Sequence, residues 1–232
     1  MKTLQSVRAI KGDAPRHPGA WARAALAGRV ERWIGLAAFG AALLLPACSI
    51  LPKAEPLEVY LLPASARGAA SAPQAAPWSL RIARPAAGVH LSGQRIVVVP
   101  EDNRVSVYKG AGWSDPAPVL VRNRLLDAFR ADGRVAALSS DDKQWQADFE
   151  LDSELRAFQG EYRDGHPEAV VRLDARLVHT AARRIVASRT FEVRTVAADA
   201  AVPAVVQAFG DGADRLSAEV VDWTVRAASA VR

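Results

Sequence analysis

The stretch ADFELDSELRAF, residues 147–158, sets Phe149, Leu151, Leu155 and Ala157 in alternation with Asp148, Glu150, Asp152, Glu154 and Arg156. A period of two belongs to a strand with one buried and one wet face. AVVRLDARLVHT, residues 169–180, repeats the pattern, placing Val171, Leu173, Ala175 and Leu177 opposite Arg172, Asp174 and Arg176. The acidic outer row of the first stretch suits the basic outer row of the second, so an antiparallel meander with cross-strand charge pairs is expected. RRIVASRTFEVRTV, residues 183–196, continues it as a third strand. On this alternation Phe158 and Tyr162 fall on the outer, charged face, an exposed aromatic pair and a candidate partner surface.

Working outward, WSDPAPVLVRNRLLDAFRADGR (113–134) carries both ends of a helix. Ser114 or Asp115 is a candidate N-cap, Pro116 fits the first turn and Gly133 the left-handed position after the last. Val121, Leu125, Ala128 and Phe129 form one face, with Leu126 at its edge, so the spacing predicts a helix over about 116–131. Trp113 is expected to staple that helix start, and with Tyr108 it forms a second candidate partner surface. A longer helix is predicted from a candidate cap at Asp199 through Pro203 to about Ala228, with Val202, Val205, Val206, Phe209, Ala213, Leu216, Val220, Trp223 and Ala227 along one stripe. Gly210 and Gly212 interrupt it and mark a kink or a close backbone approach.

Upstream lie strand patterns at 57–64, 78–85, 95–100 (RIVVVP, the apolar run of a central strand) and 103–110, with a turn at 101–103 and an Ala/Pro/Ser/Gly loop at 65–77. The expected fold class is α+β, a largely antiparallel β-sheet with two α-helices packed on one face.

LLLPACSILP, residues 43–52, holds the only cysteine of the 232 residues at the end of an apolar run, 34–47, that follows Arg29 and Arg32. The run is as long as a signal peptide's apolar region and short for a membrane span. Leu45, Ala47 and Cys48 resemble the bacterial lipobox, with Pro46 where a small or hydroxylated residue is usual. That resemblance implies cleavage between Ala47 and Cys48, a covalent lipid on Cys48 as the only attached group, and Ser49 as a sorting residue favouring the outer membrane. The expected organisation is a leader over 1–47, a lipidated tether over 48–56 and one α+β body over 57–232. The long basic stretch before the apolar run leaves Val30 open as an alternative start.

Residues 1–47 hold seven of the 30 Lys/Arg and two of the 25 Asp/Glu, so the whole +5 excess lies upstream of Cys48. A neutral body with interspersed charges speaks against a nucleic-acid partner. One cysteine excludes a disulfide framework, and His17, His90, His166 and His179 are scattered singly, so no metal site is expected. GAGW, residues 110–113, lacks the third glycine and the Lys-Ser/Thr of a phosphate loop, and no G-x-S-x-G elbow occurs. Asp141 and Asp142, with the acidic row at 148–154, read as a solvated strand face rather than an acid–base pair.

The lipobox cysteine, YLLP soon after it, RIVVV, VYKGAGWSDPAPVLVRNRLLDAF, FELDSELRAFQGEY and AFGDGADRLSAEVVDW, in this order, resemble the ABC-type transport auxiliary lipoproteins, which include the PqiC lipoproteins. The resemblance implies an outer-membrane-anchored periplasmic component without catalytic residues. Its implied partners are an MCE-domain periplasmic protein and inner-membrane ABC or integral transport components, in a system that carries phospholipid or other hydrophobic molecules between membranes. Self-association into a homo-oligomer stays open. Two other readings are weighed against it: a periplasmic lipoprotein hydrolase, and a structural lipoprotein that seats an unrelated outer-membrane complex.

Overall fold

The computed structural model describes residues 56–65, 75–100, 104–143 and 145–231. The leader with Ala47, the tether residues Cys48 and Ser49, and the turn at 101–103 lie outside them. In chain order the elements are β1 (Glu58–Tyr60), β2 (Ser79–Ile82), β3 (Ala86–Ala87), a 3-10 turn (Val89–Leu91), β4 (Arg95–Val99), β5 (Ser106–Trp113), α1 (Ala117–Asp132), β6 (Ala137–Ser140), β7 (Phe149–Arg163), β8 (His166–His179), β9 (Arg184–Val196) and α2 (Val202–Ser229). No helix among the described residues is long and apolar enough to cross a membrane.

The expected meander is present. β7, β8 and β9 pair antiparallel along nearly their whole length. The β7–β8 turn is Asp164-Gly165, with φ of 52° and 78°, the doubly positive geometry that matches the twist of paired strands. It pairs Arg163 with His166 and fixes the register from that end.

The sheet as a whole corrects the expectation of a largely antiparallel one. It is mixed: β1–β5, β2–β6, β2–β7, β3–β7 and β4–β7 are parallel, and these outnumber the antiparallel pairs β4–β5, β7–β8 and β8–β9. The reason is topological. β7 is long enough to take β2, β3 and β4 in succession along one edge, each returning in its own direction. The strands β3 and β6 are too short to leave a periodic signal, and neither is anticipated by the sequence pattern. β5 reaches Trp113, beyond the expected end at 110, passing Gly110 at φ 69°.

α1 and α2 pack on each other and share one hydrophobic core with the sheet, into which Leu80, Ile82, Leu125, Phe129, Leu151, Leu173, Phe191, Val205, Phe209, Leu216 and Val220 are buried. The opposite face is charged, and there the expected β7–β8 pairing forms between Asp152 and Arg176 at 2.9 Å, while Arg172 turns to Glu192 of β9 at 2.6 Å. Such exposed pairs are each worth about 0–1 kcal/mol.

The helix ends are held differently from the expected caps. Neither Ser114 nor Asp115 caps α1; the backbone carbonyl of Pro116 accepts from the amides of Val119 and Leu120, and the Ser114 hydroxyl donates to Asp115 instead. Asp199 accepts from the amide of Ala201, ordering the approach to α2 one residue outside its first turn. Gly133 does adopt the left-handed conformation, φ 75°, and closes α1 on the Phe129 carbonyl.

Candidate functional site

The aromatic residues expected at a partner surface separate into two groups. Phe158 is 1% exposed, not on the outer face. The cause is a bulge between Leu155 and Ala157, which places Arg156 as an extra residue in β7 and reverses the alternation beyond it. Phe158 therefore points at the helices, where its ring lies 4.7 Å from that of Phe209 and 5.6 Å from that of Trp113. Trp113, also 1% exposed, meets Phe209 edge to face at 5.3 Å. It is a core residue at the end of β5 rather than a staple on α1. These rings stabilise the joint between the sheet and α2, and they are unavailable to a partner. Tyr162 remains accessible at 39%. Tyr108 is half-buried beside it, its hydroxyl above Gly160, where a Cβ would come within 3.1 Å. Burial pushes the Tyr108 phenol above its ordinary range, and the neighbouring Tyr162 adds to this.

The candidate acid–base groups are held in structural pairs. Asp141 and Asp142 sit in the turn after β6, not on a strand, and each carboxylate lies 2.8 Å from the guanidinium of the buried Arg122. The hydrogen bond from Arg122 holds the Asp142 carboxyl below the usual range. Glu150 pairs with Arg81 across β7 and β2. Ser79, Asp148 and His179 line one open cavity of about 450 Å³. This is the nearest the described residues come to a serine–histidine–acid arrangement, but it is wired otherwise. The Ser79 hydroxyl donates to Asp148 Oδ2 at 2.8 Å and accepts from the Asp148 amide at 2.9 Å. His179 Nδ1 accepts from the Ala182 amide, and its ring packs edge-on to Phe149. A serine nucleophile needs a base positioned to take its proton, and here the hydroxyl bonds a carboxylate instead. His166 ends the β7–β8 turn in solvent, and no group of three or more metal-ligating side chains occurs among the described residues.

The most tightly built polar site is one the sequence pattern does not single out. Arg124 of α1 and Asp214 of α2 form an ion pair with both side chains about nine-tenths buried. Arg124 also donates to the carbonyls of Leu62, at 2.9 Å, and Pro63, while Asp214 Oδ2 accepts from the Ser65 amide at 2.8 Å. The segment 62–65 thus lies across the two helices, and its backbone groups hydrogen-bond both members of the ion pair. Burial alone would raise the Asp214 carboxyl, but hydrogen bonds from Ser65 and the charge and hydrogen bond of Arg124 hold it below its usual range. Gly210 completes the clamp: a Cβ there would stand 2.7 Å from the Pro63 carbonyl oxygen, so only glycine lets the segment lie against α2. The close approach expected at the two glycines is real, and α2 runs through them unbroken. A signal was present in the sequence. Arg124 stands three residues after Val121 and four before Ala128 on the apolar side of α1, and Asp214 four residues after Gly210. Opposite charges on the buried faces of two helices call for each other.

The clamp gives YLLP, VRNRLL and FGDGAD a common physical role. Residues 60–221 match the family of ABC-type transport auxiliary lipoprotein components. The chain belongs to that family. A crystal structure of a Xanthomonas campestris protein, described as a member of a family of unknown function, superposes with a TM-score of 0.68 at 30% identity, covering 74% of this chain and 96% of that one. A second, uncharacterized protein shares the fold, with a TM-score of 0.55 at 18% identity over 73% of this chain and 99% of that one. An uncharacterized protein of Bradyrhizobium diazoefficiens is 33% identical over 150 residues, which are 64% of this chain and span only 40% of that relative's length. An auxiliary lipoprotein component of ABC-type transport is what the family description says of its members.

Proposed function

We propose that this auxiliary lipoprotein is acylated on Cys48, sorted through Ser49 to the periplasmic side of the outer membrane, and acts there without catalysis. Its role is that of an adaptor for an ABC/MCE-type system that carries phospholipid between the membranes. The observation that carries this reading is the clamp at Arg124 and Asp214. Residues 62–65, which follow the Cys48 tether in the sequence, are fastened to the two helices, so the start of the described body is tied into its core. A lipid anchor of several acyl chains, at about 0.8 kcal/mol per buried methylene, then positions the body stably at a membrane without a protein span. The wiring of Ser79, His179, Asp141 and Asp142 into structural bonds agrees with a role by contact.

The test is co-purification of the full chain from its own membranes in mild detergent, with mass analysis of the Cys48 peptide and of co-purifying proteins and lipid. An acylated Cys48, outer-membrane fractionation, and capture of an MCE-domain protein or an ABC permease and ATPase are expected. Capture of an unrelated outer-membrane complex alone would overturn the transport role, and an unmodified Cys48 would overturn the anchor.

A further inference from the structure

β1 is a margin strand of the sheet, paired among the described residues only with β5, and Val59 on it and Leu57 and Leu61 on either side of it expose apolar side chains to solvent, at 61%, 59% and 76%. Val59 and Leu61 alternate with Tyr60 and Leu62, which pack toward the core, while Glu58, between Leu57 and Val59, is itself exposed and accepts from the Tyr60 hydroxyl. Beside them on β5 lies a buried glycine, Gly112, whose Cβ position is 3.1 Å from the Gln94 carbonyl oxygen. Val59 pairs with Gly112, and Leu57 reaches over that glycine, its nearest carbon 3.6 Å from where a Cβ would be. Gly112 also pairs with the exposed Arg95 of β4, which puts Arg95 in the same cross-strand row as Val59. The result is an apolar ridge with a cation at its side, nine residues after Cys48.

We infer that Leu57, Val59 and Leu61 rest in the surface of the bilayer that holds the Cys48 lipid, with Arg95 at the level of anionic phospholipid headgroups. This rests on the anchor reading given above. Nine residues span at most about 30 Å when fully extended, so an acylated Cys48 confines this margin of the body to the neighbourhood of the membrane. An exposed aliphatic row beside a long basic side chain matches the layering of a lipid interface, apolar below and charged at the headgroups. Contact there orients the body on its anchor and leaves the far margin, β9, directed away from the bilayer.

The chain's single cysteine makes the experiment selective, since acylation of Cys48 leaves an introduced thiol as the one free site. Val59→Cys and, as reference, Ile185→Cys are made in the full chain and labelled with an environment-sensitive fluorophore. Ile185 is 53% exposed at the start of β9, separated from β1 by β5, β4, β7 and β8. The lipidated proteins are reconstituted in phosphatidylethanolamine–phosphatidylglycerol vesicles that carry doxyl-labelled lipid, and mass analysis of the Cys48 peptide reads the anchor separately. The expected result is blue-shifted emission and severalfold stronger doxyl quenching at position 59 than at 185, reduced by Arg95→Glu. Equal, aqueous signals on protein with acylated Cys48 overturn the inference and leave the anchor standing. Blue-shifted emission without doxyl quenching also overturns it, because the ridge is then covered by protein. Loss of acylation removes the anchor and this inference together.

Discussion

Arg124 and Asp214 meet in a buried ion pair that joins the two helices, and the same two side chains bind the backbone of Leu62, Pro63 and Ser65. Removing one partner leaves an uncompensated charge in the interior. Arg124→Met and Asp214→Leu are each expected to cost about 3–5 kcal/mol, whereas the double variant should recover much of that loss because neither charge is then stranded. The double variant still lacks the donor to Leu62 and Pro63. Urea denaturation reads the stability, and hydrogen exchange at residues 58–65 reads the clamp. Restored stability with fast exchange in that segment is the expected signature, and slow exchange in the double variant would show that the segment is held by something else.

The pH dependence follows from the sign of the Asp214 shift. Its folded-state carboxyl titrates below the ordinary range, so it adds stability above the unfolded pKa of about 3.9, and that contribution disappears as the pH falls through the lower, folded value. The stability gap between the wild type and Asp214→Asn should therefore be full at neutral pH and narrow on acidification below about pH 4. Denaturant midpoints across that window check it. A gap that widens with acid would mean that the carboxyl is raised, not lowered.

The two glycines of α2 should respond differently to the same change. In an exposed helix interior Gly→Ala is worth up to about 1 kcal/mol of added stability. At Gly210 the new Cβ would meet backbone, the Pro63 oxygen at 2.7 Å, so Gly210→Ala should be destabilising, by about 1–3 kcal/mol, and should loosen the 62–65 segment. At Gly212 it would meet only a side-chain oxygen, that of Thr195 at 3.0 Å, which needs to give by a few tenths of an ångström against its bond from Arg215, so Gly212→Ala should lie close to neutral. Midpoints of urea unfolding separate the two, and equal effects would remove the steric account of Gly210.

Phe158 and Tyr162 invite a direct comparison, because strict alternation places both on one exposed face. With Phe158 packed against Phe209 and Trp113, Phe158→Ala should cost about 3–5 kcal/mol. Tyr162→Ala, at a side chain 39% exposed, should change stability by less than about 1 kcal/mol. Thermal or urea melts of the two variants decide the matter, and a mild Phe158→Ala would place the bulge elsewhere in β7.

These contrasts mark where the sequence was legible. The meander, the two helices, the Gly133 terminus and the cross-strand charge pairs were readable because each rests on local periodicity or on local turn chemistry. Phe158 was misplaced because a bulge adds one residue without any compositional trace; Arg156 looks like any other outward charge. Parallel pairing was missed because it depends on which distant strands line β7, and β3 and β6 are too short to alternate. The clamp is only half legible: Arg124 and Asp214 each place a charge on the apolar side of a helix, but that the two meet is a contact between residues far apart in the chain.

The last expectation concerns chemistry. If the protein works by contact, its titratable side chains should matter only through the bonds they hold in the fold. Alanine at Ser79, His166, His179, Asp115 or Glu150 should leave membrane-barrier complementation within a few-fold of wild type. Ser79→Ala removes the hydroxyl that both donates to and accepts from Asp148, and its effect should be confined to stability, about 1–3 kcal/mol for two hydrogen bonds. Asp141→Ala and Asp142→Ala should each be tolerated, because the other carboxylate still faces Arg122, whereas the double variant strands a buried guanidinium and should melt measurably earlier. The panel is scored for folding, for fractionation and for complementation, so that loss of structure and loss of function are told apart. A single change at Ser79 or His179 that abolishes complementation in a folded, correctly fractionated protein would revive the hydrolase reading, with the cavity between β2 and β8 as its site.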